Sequence, residues 1–176
     1  MQVIIRQALC SDAAALAQVH IDSWRTSYQG IIPADYLSNL SYKQRENQWA
    51  RVLCDTANHE FVYVAQTETG EIAGFASGGA LRTDIPPYTS ELYAIYLLEN
   101  YQKQGIGLQL FEAIKNRLLQ NGFSSMLLWV LTENTIARRF YEARGGQVVK
   151  TQKFELGGVT LEETGYGWPH LTTAEH

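Results

Sequence analysis

The sequence predicts a mixed α/β domain built on a mainly antiparallel sheet with one parallel strand pair. Three observations predict it. Short apolar, β-rich runs alternate with stretches of helical spacing in the order β-α-α-β-β-β-α-β-α-β-β. Turn residues join some neighbouring runs tightly enough for antiparallel hairpins, whereas a helix separates "ELYAIYLL" from "SMLLWVL" and makes that pair parallel. Finally, 176 residues with 45% apolar and 18% charged side chains suit one soluble domain over 1–176, its core spanning about 3–168.

Each element has a local cause. "QVIIRQA" is a short strand. Ser11 or Asp12 offers an N-cap to a helix from about Asp12 to Tyr28, with Leu16, Val19 and Trp24 on its buried side. Gly30 and Pro33 break that helix, and "QGIIPADYLSNLS" holds only a short helical turn. A second helix from about Tyr42 to Asp55 offers Trp49, Val52 and Leu53 to the core. "EFVYVAQ" and "EIAGFASG", joined by "TETG", read as an antiparallel hairpin. Pro86-Pro87 makes "LRTDIPPYTS" a loop, after which "ELYAIYLL" is the next strand. From Gly107, apolar residues at Leu110, Phe111, Ile114 and Leu118 mark one helical face, and Asn121-Gly122 supplies the stop. "SMLLWVL" is apolar throughout, as in a strand buried on both sides. Asn134 opens a helix to about Arg144, and "GQVVKTQKF" and "VTLEETGYGW" flank a Gly157-Gly158 turn.

Composition excludes several function classes. A net charge of −4 argues against a nucleic-acid surface. No apolar run approaches the roughly 18 residues of a membrane span, and "VIIR" is too short for a signal-peptide core. Cys10 and Cys54 lack any CxxC or metal spacing; a disulfide between them stays open, but two unclustered thiols fit a reducing cytoplasm better. The scattered histidines form no metal site, and His20 is expected as a core or boundary residue of the first helix.

The chemistry is concentrated in "ENYQKQGIGLQLF" (99–111). A strand, a glycine-bearing turn and a helix start together make an anion site. The first helical turn leaves N–H groups unpaired at the positive end of the macrodipole, and glycines let phosphate oxygens reach them. Gln102 and Gln104 can add hydrogen bonds, and Lys103 a charge. The same glycines also suit a tight turn that lets helix and strand pack closely, so the motif alone leaves both readings open. It is neither a Walker loop nor a full GxGxxG.

In its setting, "ELYAIYLLENYQKQGIGLQLF" resembles motif A of the GNAT superfamily of acetyl-CoA-dependent N-acetyltransferases, with Gln102, Gly105 and Gly107 at the matching positions. "WVLTENTIARRFYEARGG" resembles motif B of the same superfamily through Asn134, Ala137, Phe140, Tyr141, Glu142 and Gly145. Glu99 and Gly146 depart from the usual proline and aromatic, at positions of packing rather than chemistry.

The resemblance implies a GNAT-like fold whose parallel strands splay to admit the pantetheine arm of acetyl-CoA. Backbone near Ile95, Tyr96 and Leu97 would hold the arm, and the loop Gln102, Lys103, Gln104, Gly105, Ile106 and Gly107 the diphosphate. Asn134 would bond the pantetheine or cap its own helix, and the two do not exclude each other. Tyr141 matches the family's acid at the leaving sulfur, with a core aromatic as the alternative. Glu91 is the candidate base, with a plain strand-start glutamate as the alternative. Strand parity puts Glu91, Tyr93 and Ile95 on one face, making Tyr93 a candidate partner. Trp24, Tyr28 and Tyr88 are candidate walls for an acceptor amine, a small molecule or a peptide. No metal is expected, exposed strands near the C-terminus would permit a homodimer, and the competing function is a non-catalytic acyl-CoA-binding module.

Overall fold

The computed structural model describes residues 2–173. Seven strands form one sheet in the order β1-β2-β3-β4-β5-β7-β6. They are β1 (Val3–Gln7), β2 (Phe61–Thr67), β3 (Ile72–Ala80), β4 (Ser90–Leu97), β5 (Met126–Leu131), β6 (Gln147–Leu156) and β7 (Val159–Trp168). The helices are α1 (Ala13–Ser27), α2 (Ala34–Ser38), α3 (Tyr42–Cys54), α4 (Ile106–Gln120) and α5 (Thr135–Glu142).

Every pairing is antiparallel except β4 with β5. That pair holds register only at Ser90↔Met126 and Glu91↔Leu127. Beyond Glu91 the two strands part, so the β5-facing backbone of β4 has no strand partner. The sheet is thus mixed, mainly antiparallel, with a splayed parallel pair, as the sequence predicts.

The two faces are covered by different helices. Leu110, Phe111, Ile114 and Leu118 of α4 are buried against Leu92, Met126, Leu128 and Tyr166 of the sheet. On the other face, α1 and α3 bury Leu16, Ala17, Val19 and Trp49 with Val62, Val64 and Phe75. The apolar periodicity of each helix therefore points at the sheet.

A β-bulge corrects the parity expected for β4. Ser77 pairs with Ala94 but Gly78 with Leu92, which leaves Tyr93 as the extra residue. The insertion flips the rest of the strand. Ile95 and Leu97 join Leu92 in the α4-side core, and Ala94 and Tyr96 join the α1 side. Glu91 and Tyr93 remain together, both held by Arg82, but Ile95 does not share their face.

The cysteines are a second correction. Cys10, in a short 3-10 turn before α1, and Cys54, in the last turn of α3, form a disulfide with Cα atoms 4.8 Å apart. Sequence spacing holds no sign of it, because a separation of 44 residues closes only when α3 lies along α1. The thiol argument for a reducing compartment falls with it. No helix of the described residues is long and apolar enough to cross a membrane.

Candidate active site

The loop before α4 is built by backbone conformation. Lys103 (φ 60) and Gly105 (φ 80) both take left-handed conformations, and Gly105 is the N-cap of α4. A Cβ at Gly105 would meet nothing within 4 Å, so that position opens to solvent. The amides of Lys103, Gln104 and Gly105 have no backbone acceptor among the described residues. The first-turn amides of α4 point the same way by helix geometry.

The two glutamines serve this loop differently from the expectation. Gln102 Nε2 donates to the Leu97 carbonyl at 3.2 Å and Gln104 Nε2 to the Asn100 carbonyl at 2.9 Å. They brace the turn rather than face outward. Ile106 is buried, and the nearest atoms to a Cβ at Gly107 would be Leu97 and Phe140 at 3.5 to 3.8 Å. Such distances are ordinary contact, so space alone does not demand glycine at 107, whereas Gly105 is the conformational one. A curved row of free amides at a helix N-terminus fits a diphosphate, so these residues suit the nucleotide end of coenzyme A.

At the gap between β4 and β5, side chains from three helices and a strand converge. Tyr141 on α5 is 8% exposed, its ring among Phe111, Phe140, Tyr166 and Trp168. Burial, then the nearby Tyr96, pushes its hydroxyl well above the usual phenol range. Tyr141 therefore stays protonated and can only donate its proton, not lose it to solvent, at neutral pH. Tyr28 is likewise driven up, by burial first and then by Tyr96, with Asn134 acting in the opposite direction. The Asn134 side-chain oxygen accepts from the Ala137 amide at 3.2 Å, so it caps α5, and its NH2 group is a donor that the cap does not use.

Trp24 and Tyr28, one helical turn apart on α1, meet edge-on with centroids 5.3 Å apart, and Trp24 meets Tyr96 at 6.3 Å. The Trp24 indole N–H is buried with no hydrogen-bond partner among the described residues. His20 stacks on Tyr96 at 5.1 Å and accepts at Nδ1 from Trp49 Nε1 at 3.2 Å. Burial, then the charge of Arg45, holds His20 down to about 3. The histidine is thus neutral and belongs to the aromatic wall, in keeping with the boundary role expected.

Glu91 is 1% exposed. Its carboxylate accepts from Arg82 Nε at 3.1 Å, from Arg82 Nη2 and from the Arg82 amide at 3.3 Å. The same guanidinium lies 4.1 Å from the Tyr93 ring centroid, and the Tyr93 hydroxyl donates to the Ala80 carbonyl. Glu60, raised chiefly by burial, also feels Arg82. Sequence reading missed Arg82, Glu60 and Arg45. Arg82 and Glu91 flank a loop, and nothing in their spacing signals that the loop folds back on the strand.

Tyr88 is placed elsewhere. Its ring covers Gly167, where a Cβ would collide with the Tyr88 hydroxyl. Register sets Glu91, Leu127 and Gly167 in one cross-strand row, so Tyr88 sits over β7, two strands from Glu91 with Leu127 between them. It does not join Trp24 and Tyr28. Among the described residues, no group of three or more His, Cys, Asp or Glu side chains could hold a metal.

Comparison with known proteins agrees with this geometry. The Acetyltransferase (GNAT) family matches residues 19–146. The chain is 45% identical to uncharacterized N-acetyltransferase YuaI of Bacillus subtilis (strain 168), over 97% of this chain and 95% of that protein. It is 22% identical to spermidine N(1)-acetyltransferase of Thermoplasma acidophilum, over 86% of this chain and 92% of that one. In fold it resembles yncA of Salmonella typhimurium, solved with its cofactor acetyl-CoA, at a TM-score of 0.72 and 20% identity, covering 100% of this chain and 98% of that one. The chain belongs to the GNAT family of acetyltransferases, as an acetyl-CoA-dependent N-acetyltransferase.

Proposed function

We propose that this chain moves the acetyl group of acetyl-CoA to a primary amine by direct attack in a ternary complex. The observation that carries the reading is a convergence. The open β4 edge, the bare amides around Gly105 and the buried Tyr141 hydroxyl all border one gap in the sheet. Acetyl-CoA supplies an activated thioester. The chain's own residues must hold it, bring the amine to its carbonyl, and move two protons.

In this reading the amides from Lys103 to Gly107 grip the diphosphate, and backbone near Ile95, Tyr96 and Leu97 extends the sheet along the pantetheine arm. Asn134 donates to that arm. An N–H of β4 near Ile95 meets the charge that develops on the carbonyl oxygen. A primary amine with a pKa near 10 is mostly ammonium at neutral pH and must lose a proton to attack. Glu91, oriented by Arg82 and with Tyr93 beside it, takes that proton through water. Tyr141 gives its proton to the sulfur as the carbon–sulfur bond breaks. Trp24 and Tyr28 wall the acceptor side.

The test is release of free thiol from acetyl-CoA across a panel of amines. Amine-dependent release with an N-acetyl product supports the reading. Tight acetyl-CoA binding with no release for any amine would reduce the chain to a binding module.

A further inference from the structure

The one disulfide of the fold lies at its surface. Cys10 and Cys54 are both exposed, so a small thiol in solution can reach the bond. Exposed disulfides are the exchangeable ones, whereas structural bonds resist reduction. The chain holds no third cysteine to compete for either partner, so two thiols formed by reduction can re-form only this bond within the chain.

The bond ties down the end of a loosely attached helix. Of the 13 residues of α3, only Trp49 is buried. At the start of the helix the Tyr42 hydroxyl donates to Asp22 and accepts from Arg25 Nη1 at 3.0 Å, both on α1. In the middle, Trp49 Nε1 donates to His20 Nδ1 at 3.2 Å. Beyond Trp49, no hydrogen bond among the described residues joins 50–54 to another element. That last stretch is held by the partial burial of Val52 and Leu53 and by the disulfide.

Undocking of α3 reaches the acceptor wall through packed rings. Trp49 meets Phe75 edge-on at 4.9 Å, and His20 and Phe75 meet Tyr96 at 5.1 and 5.7 Å. Tyr96 in turn meets Trp24 at 6.3 Å. When α3 lifts, His20 loses the donor to its Nδ1, and the wall loses its backing. A helix end with few buried contacts opens most readily, and a cross-link there suppresses opening by restricting the open state.

We propose that Cys10–Cys54 is a site of reversible exchange with a low-molecular-weight thiol, and that breaking it lets α3 undock and slackens the aromatic wall of the acceptor side. A thiolate attacks one sulfur, and the other departs as a thiolate and takes up a proton. A second thiol attacks the mixed disulfide so formed and releases the remaining cysteine. Two small thiols are oxidised to their own disulfide as the protein gains two thiols. The exchange stands on the bond alone; its consequence for the acceptor rests on the reading of Trp24 and Tyr28 above.

The native chain is equilibrated with glutathione buffers of graded ratio, and its thiols are trapped by alkylation and counted by mass. Both cysteines should convert together and reversibly without denaturant; resistance until the chain unfolds would overturn the proposal. Hydrogen exchange of the oxidised and reduced chains then reads α3. Its amides should exchange about tenfold faster or more after reduction, and well ahead of those in α4 and β5. An unchanged α3 rate, or α3 exchanging no sooner than α4 and β5, rules out undocking. Cys10→Ser should match the reduced wild type and ignore the buffer, which ties the effect to this bond. For any amine that the chain acetylates, N-acetyl product measured by mass gives KM in both states. That KM should rise about threefold or more on reduction while KM for acetyl-CoA holds. An amine KM blind to the bond refutes the coupling to the wall. Failure with every amine would sink the transferase reading alone, since the exchange measurements need no turnover.

Discussion

Tyr141 and Glu91 differ most in what surrounds them. The phenol is buried among aromatic rings and held protonated, the state a proton donor to sulfur needs. Tyr141→Phe removes that donor without changing the packing, so kcat should fall by about 10²-fold while acetyl-CoA affinity stays within about twofold. Steady-state kinetics beside a binding titration checks both. The carboxylate of Glu91 is buried and its charge is answered by Arg82, which is mostly exposed. Arg82→Met leaves an uncompensated buried carboxylate and should cost about 1–3 kcal/mol of stability by denaturant unfolding. His20 gives a pH signature. Its ordinary value near 6.5 drops to about 3 in the fold, so below 6.5 the unfolded chain binds a proton that the folded chain refuses. Stability attributed to this group is complete above about pH 6.5 and is lost as pH falls toward 3, by at most about 1.4 kcal/mol per pH unit. Melting curves of His20→Phe should show a shallower fall over that window than wild type. Motif B made the placement of Tyr141 and Asn134 legible in the sequence, because one lies on a short helix and the other caps it. Arg82 and Arg45 were illegible, since their neighbours are set by how loops and helices meet in space.

At the scale of elements, the cofactor end depends on one turn and one bulge. The turn was readable. A glycine-bearing turn before an apolar helical run marked the helix start; the left-handed N-cap conformation, φ 80 at Gly105, came only from the fold. Gly105→Val would force a branched side chain into that conformation beside the free amides. Acetyl-CoA affinity should fall by at least about tenfold, measured by calorimetry, with kcat at saturating cofactor much less affected. The bulge was not readable. β4 reads as a regular alternation, and only pairing against β3 reveals Tyr93 as the extra residue. Its effect is to leave Glu91 and Tyr93 against Arg82 while Ile95 faces α4, so strand parity failed at the step where the splayed edge changes direction.

For the whole molecule, the order of strands and helices followed from local signals, because hairpin turns, helix caps and apolar periodicity all point to one topology. The helix boundaries moved by one or two residues, as expected where end turns fray. What the sequence withheld was the long-range closure of α3 on α1, and with it the Cys10–Cys54 disulfide. Closing a loop of this length contributes about 2–4 kcal/mol by restricting the unfolded chain. Cys54→Ser, or reduction, should lower the melting temperature by several degrees while leaving KM for acetyl-CoA unchanged, since the bond joins the start of α1 to the end of α3 and touches neither β4 nor the loop before α4. The mechanism turns on one point, that the gap between β4 and β5 aims a thioester at Tyr141. A crystal structure with acetyl-CoA decides it. The diphosphate should lie on the amides around Gly105, the pantetheine along β4, and the sulfur within hydrogen-bonding reach of the Tyr141 hydroxyl. A cofactor bound elsewhere, or a sulfur pointing away from Tyr141, would refute it.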